Sequence, residues 1–361
     1  MATAMRPQFT VLVNTYNHGL FVERCLRSVV EQDFPASEME VIVVDDGSTD
    51  RTPEILRKFE PRIHLIRKEN GGQVSAFNAG VAEAQGEIIA FLDGDDWWAP
   101  NKLTSVRRAF DENQQVAAVG HGYFEVDERD SIRARWTPEP GSCLTFETPD
   151  LVFRSRSSRT FLGTSRLAIR ESALARALPI PPELPFFDNF IFAQAIAMGG
   201  ALLLAEPLCY YRIHSGNLFI SDEPTERQQR TRYKVLCGLL ENLPMRLKNL
   251  GASEAAISAF LAFDRTEAAR LKLVLEGGWP WETFRAESTS FDLDYRDADW
   301  GYRLFKNSVL LSTLLMPPRA FYRVRRWYAK HNLRRLREKL GNASLRVPDA
   351  LREPAQKDAE R

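Results

Sequence analysis

Little in the composition of this chain points to a partner. Its 361 residues carry 48 basic and 48 acidic side chains, so no overall charge draws it to nucleic acid, and any electrostatic partner has to be sought in local clusters. Cysteine is scarce. Cys25, Cys143, Cys209 and Cys237 lie far apart without a C-x-x-C pair, which argues against a zinc knuckle or a disulfide framework and suits small buried residues in a reducing compartment. No stretch approaches the ~20 uninterrupted apolar residues of a membrane span. The amino-terminal MATAMRPQFTVLVN has too short an apolar stretch for a signal-peptide core, so a cytoplasmic location is expected. Internal repeats and low-complexity tracts are also missing.

What is present is an ordinary globular composition, 44% hydrophobic and 27% charged, long enough for a large α/β domain with an appendage, or for two domains. The first 125 residues alternate two periods. FTVLV (9–13), EVIVVDDG, IHLI (63–66) and EIIAFLD read as strands. Between them, 18–32, a segment opened by Pro53 and Glu54 and capped by Ser48, Thr49 or Thr52, and VSAFNAGVAEA read as helices. Strands this uniformly apolar are buried on both faces, so a mostly parallel, Rossmann-like sheet covered by helices is predicted.

In such sheets ligands bind outside the carboxyl ends of the strands. Three polar clusters fall there: NTYN (14–17), DDGSTD (45–50) and DGDD (93–96). Asp93 and Asp95, one residue apart at a breaking strand, can face one crevice, and Gly94 lets a ligand or loop come close. Hard cations such as Mg²⁺ or Mn²⁺ take such carboxylates together with substrate phosphates. A lone D-x-D also fits a solvated turn. The second acidic pair, Asp45 and Asp46, tips the balance toward a site, because like charges gathered together are costly without a compensating ligand.

The ordered series VLVNTYNHGLFVERCLRSV, VIVVDDGSTDRT, KENGGQVSAFNAG and IIAFLDGDDWWAPNKL resembles the donor-binding half of the inverting family 2 glycosyltransferases, closely over 9–105 and loosely to about 217. The resemblance implies a GT-A fold and an NDP-sugar donor, a UDP-sugar foremost, lying across the rim. Thr15, Tyr16 and Asn17 would meet the nucleoside, Asp45 and Asp46 the base, Asp93 and Gly94 the ribose side, and Asp95 the Mn²⁺ or Mg²⁺ ion. Lys68, Asn70, Gly71, Gly72 and Gln73 would form the family's N-G-G loop, and Gly163 and Thr164 the loop beneath the sugar. Three positions depart from the pattern: Asn14 stands where a Pro is frequent before Thr-Tyr-Asn, Phe77 stands where an Arg is frequent, and Phe187 replaces the Glu of a Glu-Asp pair. The missing phosphate-binding charge would then come from Lys68 or Arg166.

Asp188, in PFFDNFIFAQAIAMGG, is the remaining carboxylate of that pair and the implied catalytic base; as an isolated residue it reads equally as a cap for helix 189–198. His214 corresponds to a family histidine that contacts metal or phosphate, whereas His18, His64, His121 and His331 read as packing or surface residues. Arg154 and Arg156 read as solvated, and Arg159 or Arg166 as able to reach an anion.

The predicted organisation is a glycosyltransferase domain over 1–217, divided into donor (1–125) and acceptor (126–217) halves, then a helical region over 218–345 and a disordered tail over 346–361. Within it, 317–340 holds nine Lys/Arg against one acid beside an apolar stripe. Such a helix docks on the protein or lies peripherally on an anionic membrane, where a lipid-linked or glycan acceptor of polysaccharide or glycolipid synthesis would be met. Two rivals stand. One is a nucleotidyltransferase or oxidoreductase, the latter disfavoured because NTYNHG lacks G-x-G-x-x-G. The other is a non-catalytic sugar-nucleotide or glycan-binding subunit.

Overall fold

The computed structural model of the chain describes residues 6–214 and 225–294, with a few positions from 300 to 311. The 317–340 segment and the 346–361 tail lie outside the described residues. Contacts divide the chain into two units, one of Met1–Pro224 with Gly238–Ile257 and one of Thr225–Cys237 with Ser258–Arg361.

The first unit is built on one sheet. Its strands are β1 (Phe9–Thr15), β2 (Met39–Asp45), β3 (His64–Arg67), β4 (Ile88–Asp93), β5 (Trp97–Trp98), β6 (Ala118–Val126), β7 (Ile132–Trp136), β8 (Cys143–Leu144), β9 (Ala168–Arg170) and β10 (Ala201–Arg212). The main order is β3-β2-β1-β4-β9-β6-β10-β5, with β7 on β6 and β8 on β10. The first four strands are mutually parallel, as their unbroken apolar runs predict. Every residue of β1 is buried, the pattern of a strand covered on both faces. Beyond β4 the sheet is mixed, because β9 runs antiparallel to both β4 and β6.

Helices α1 (Val22–Val30), α2 (Thr52–Arg57), α3 (Gln73–Glu83) and α4 (Lys102–Glu112) follow the early strands, and α5 (Pro149–Arg154), α6 (Glu171–Ala177) and α7 (Asp188–Gly199) follow later. At Gly80 on α3 an added Cβ would meet Leu12 Cδ1 at 2.2 Å, so glycine sets how closely α3 lies on β1. The start of α2 corrects the expected cap. Ser48 instead accepts from the Asn17 N–H, and Asp50 Oδ1 takes the Thr52 N–H at 2.8 Å. The Arg-rich stretch that follows α5 is wound into 3-10 turns over Ser155–Leu162 and Thr164–Arg166.

Further along are α8 (Glu226–Asn249), α9 (Glu254–Glu276) and α10 (Trp281–Asp294). Two amphipathic segments of the sequence, ASEAAISAFLAF and TEAARLKLVLE, thus make a single helix, since nothing between them breaks the 3.6 period. In the second unit Arg270 Nε donates to Glu287 Oε1 at 2.7 Å and pairs with Glu267 one turn back, tying α10 to α9. Among the described residues no helix is long and apolar enough to cross a membrane.

Candidate active site

Register sets the rim. Thr15 is level with Asp45, Asn14 with Asp93, and Asp45 with Arg67, so the four parallel strands end at one height and their carboxyl-terminal residues line one edge. The residues that follow fold back over this edge, and their side chains divide between holding the loops and facing the crevice.

Several expected donor contacts hold the loops. Asn17, in the left-handed region at φ 55°, accepts the Thr49 N–H at 2.8 Å and the Asp50 N–H at 3.3 Å, joining the first polar cluster to the second. Asp45 is fully buried; its Oδ1 accepts the Ser48 N–H at 2.9 Å and its Oδ2 lies 3.3 Å from Arg67 Nε. Asp46 binds the N-G-G loop: Oδ1 accepts Lys68 Nζ at 2.6 Å and the Gly71 N–H at 3.0 Å, and Oδ2 the Gly72 N–H at 2.7 Å. Gly72 has φ 84°, a conformation that favours glycine. An added Cβ on Gly47 would meet Asn70 N at 2.8 Å, which is how the 45–50 and 68–72 loops pack so tightly. Tyr16 stays 44% exposed, and Asn70 is exposed as well.

In the D-G-D turn the glycine lets the first loop come close, as expected: at Gly94 a Cβ would strike Thr15 Oγ1 at 2.6 Å and His18 Nδ1 at 2.8 Å. His18 Nδ1 in turn sits 3.3 Å from Thr15 Oγ1, and its Nε2 is 3.9 Å from Asp95 Oδ2. The same oxygen lies 2.9 Å from His214 Nε2. Two imidazoles therefore face one carboxylate. The sequence reading of His18 as a packing or surface residue misses this contact with Asp95; the signal for it is its place three residues after Thr15, in the loop closing over the rim.

Burial and crowding set the charges. Asp93 is pushed well above the ordinary carboxylate range by burial and then by the negative charge of Asp95, Asp96 and Asp188, while Gln73 Nε2 donates to its Oδ1 at 3.2 Å. Asp96 is raised to about 7, by burial and by Asp95. Burial also acts against ionised Asp95, but the His214 hydrogen bond and the charge of His18 and His214 outweigh it and keep its carboxyl below the usual value. His214 is raised reciprocally by that hydrogen bond. Asp95 is thus the acid of the turn that keeps its charge.

The turn is gripped from β10. Arg212 is 2% exposed; its N–H donates to Asp96 Oδ1 at 2.8 Å, its Nε to Asp95 O at 2.9 Å, and its Nη1 to Asp130 Oδ1. The guanidinium lies 4.5 Å from the Phe21 ring centroid and 4.7 Å from that of Trp97. Trp97 and Trp98 are buried and belong to this packing, Trp97 stacked on Tyr210 at 4.8 Å. Arg212→Met keeps the stem and deletes the fork. Its acid partner Asp130 is partly exposed, so the loss is expected at about 1.5–3 kcal/mol, the order of a hydrogen bond to a charged group, seen as a lower urea midpoint; an unchanged midpoint contradicts this.

Asp188 is the first residue of α7, and the preceding residue makes no side-chain cap. Its Oδ1 accepts the Asn189 N–H at 2.7 Å, and the Thr164 N–H also reaches it. Burial raises its carboxyl, against these bonds and the charge of Arg166. Gly163 serves Arg166, whose Nη2 would be 2.2 Å from an added Cβ. Arg166 lies over the rings of Tyr123 and Tyr211 at 4.4 and 4.8 Å. Two of the three positions that depart from the family pattern meet each other: Phe77 and Phe187 are stacked, with centroids 4.1 Å apart.

Sheet order and rim together define a GT-A nucleotide-sugar fold. A family model described as glycosyl transferase family 2 matches residues 10–174. An uncharacterized glycosyltransferase of Nostoc sp. is 31% identical over 231 residues, 62% of this chain and 70% of that protein. The poly(ribitol-phosphate) β-N-acetylglucosaminyltransferase TarS of Staphylococcus aureus (strain MW2) is 36% identical over 295 residues, 76% of this chain and 48% of its own, so the chain spans about half of that relative. A crystal structure of S. aureus TarS 1–349 in complex with UDP-GlcNAc has a TM-score of 0.54 at 21% identity, over 79% of this chain and 81% of that one, a likeness of fold. The chain belongs to glycosyl transferase family 2.

Proposed function

We propose that this protein is a metal-dependent, inverting glycosyltransferase that moves a sugar from a UDP-sugar to a hydroxyl acceptor in polysaccharide, glycan or glycolipid synthesis. The observation that carries the reading is the arrangement of acids around the ends of the parallel strands: Asp93 ends β4 and is held by Gln73 Nε2 at 3.2 Å, Asp95 follows it with His214 Nε2 at 2.9 Å, and Asp188 opens α7. The choice of UDP draws on the TarS relative, whose crystal structure contains UDP-GlcNAc.

Among the described residues no group of three or more His, Cys, Asp or Glu side chains forms a metal cage. Asp95 with His214 offers one carboxylate and one imidazole, which fits an ion completed by substrate phosphates and water. When bound, the ion supplies positive charge for the departing diphosphate. Asp188 takes the proton of the acceptor hydroxyl, whose oxygen bonds to the anomeric carbon as the carbon–phosphate-oxygen bond breaks on the opposite face. Arg166, near Asp188 and Asp96, carries a fixed positive charge beside the base. Gln73 orients Asp93 toward the ribose, and Asp46, by holding Gly71 and Gly72, shapes the loop against the nucleotide.

Acceptor-dependent release of UDP from a UDP-sugar, with inversion read by NMR of the product, tests the reaction class. Release of pyrophosphate would indicate nucleotidyl transfer, and donor binding without release in any acceptor panel would favour a binding subunit. Membrane contact through 317–340 rests on sequence alone; anionic-liposome flotation that persists without 317–361 would remove it.

A further inference from the structure

We infer that Phe187 is a positioning residue for the base, its ring coupling the donor rim to Asp188 through Phe77 and Phe91. The inference rests on the reading of Asp188 as base. All three rings are sealed from solvent, with Phe77 and Phe187 at 0% exposure and Phe91 at 1%. Phe187 stacks on Phe77 at 4.1 Å with 30° between the planes, and meets Phe91 at 5.7 Å and 62°. Phe77 and Phe91 close the triangle at 5.5 Å.

Each ring comes from a different element and sits under a different site residue. Phe91 is two positions before Asp93 on β4, so the two share a face of the strand. Phe77 is four positions after Gln73 on α3, one turn along the same helical face, and Gln73 binds Asp93. Phe187 is the residue immediately before Asp188, at the point where the chain enters α7. The donor strand and the loop helix are therefore joined twice, by Gln73 and Asp93 at the rim and by two rings beneath it. The third ring hangs the start of the base helix on that frame. Planar rings resist sliding where aliphatic side chains do not, and a base misplaced by about 1 Å can lose on the order of 10²-fold in rate.

An ordinary core contact would affect only how much protein is folded. The test therefore compares Phe187→Leu, Phe77→Leu, the double variant and Asp188→Asn, each after its folded fraction has been measured. Calorimetry with UDP and Mn²⁺ reports donor-site integrity, and turnover of the UDP-sugar used by the wild type reports the base. Leucine nearly keeps the volume and removes the plane. Phe187→Leu is expected to lower kcat about 10- to 100-fold with the Kd for UDP within about twofold, and the double variant to lose less than the product of the two single effects, because both changes remove the shared Phe77–Phe187 stack. Wild-type kcat in folded Phe187→Leu, equal losses in kcat and UDP affinity, or single effects that simply multiply would each overturn the inference. If Asp188→Asn is inactive while Phe187→Leu is not, the coupling fails and the base stands; if Asp188→Asn turns over normally, the base reading itself fails.

Discussion

Asp188→Asn is expected to lower turnover by about 10²- to 10⁴-fold, the usual worth of a general base, while UDP affinity stays within about twofold. The substitution separates two roles that the sequence left level. Asparagine keeps the shape and one acceptor oxygen, so it can still take the N–H groups of Asn189 and Thr164 that bind Asp188, and it serves a helix start as well as aspartate does. A residue that only shaped the helix start would tolerate the change. One that accepts a proton from the acceptor hydroxyl would not.

The same residue sets a pH dependence. Burial raises its carboxyl above the ordinary range, and a base works only when ionised, so kcat is expected to fall with decreasing pH through that raised pKa, higher than for an exposed aspartate. The stability sign is opposite. A carboxyl whose folded pKa exceeds its unfolded one favours the folded state most when protonated, and that contribution is lost as pH rises through the folded value. Asp188→Asn should therefore be at least as resistant to urea as the wild type at neutral pH, and catalysis is what the ionised residue gives in return. A wild-type pH–rate profile flat through the mildly acid range would contradict the assignment.

Asp95→Ala is the second large effect. Its Oδ2 is the oxygen that both His214, at 2.9 Å, and His18, at 3.9 Å, approach, and it is the acid of its turn held below the usual carboxylate range. Removing it leaves two imidazoles with no charge between them. Mn²⁺ binding in the presence of UDP, followed by the loss of the free-ion EPR signal, is expected to weaken by more than the ~10- to 100-fold typical of residues that merely support a ligand. Affinity equal to that of the wild type would place the ion elsewhere.

Much of this was legible before any coordinates. The four apolar runs gave the parallel strands, and their polar ends gave the rim, because side-chain period and burial are local properties of sequence. Division of labour within the clusters was not legible. Asp45 and Asp46 are adjacent letters, yet one is sealed against Arg67 and the other binds the loop glycines; which way each points depends on where the chain turns after β2. His18 escaped notice for a related reason: an isolated histidine carries no pattern, and only the fold of the loop over Gly94 brings it to Asp95. Phe77 and Phe187, more than a hundred residues apart, looked like two separate losses of a charged group. The fold brings them into one stacked pair, which no local pattern in the sequence could show.

The measurement closest to the central claim is a thermal-shift panel of nucleotides and UDP-sugars with Mn²⁺ and with EDTA, on the wild type and on Asp95→Ala. At a hundredfold excess over Kd a ligand stabilises the folded state by about 2.7 kcal/mol, a rise of about 5–10 °C for a domain of this size. That rise is predicted for the wild type with a UDP ligand and Mn²⁺, and is predicted to shrink with EDTA and with Asp95→Ala. A wild type indifferent to every nucleotide, or stabilised equally with EDTA, would contradict the account.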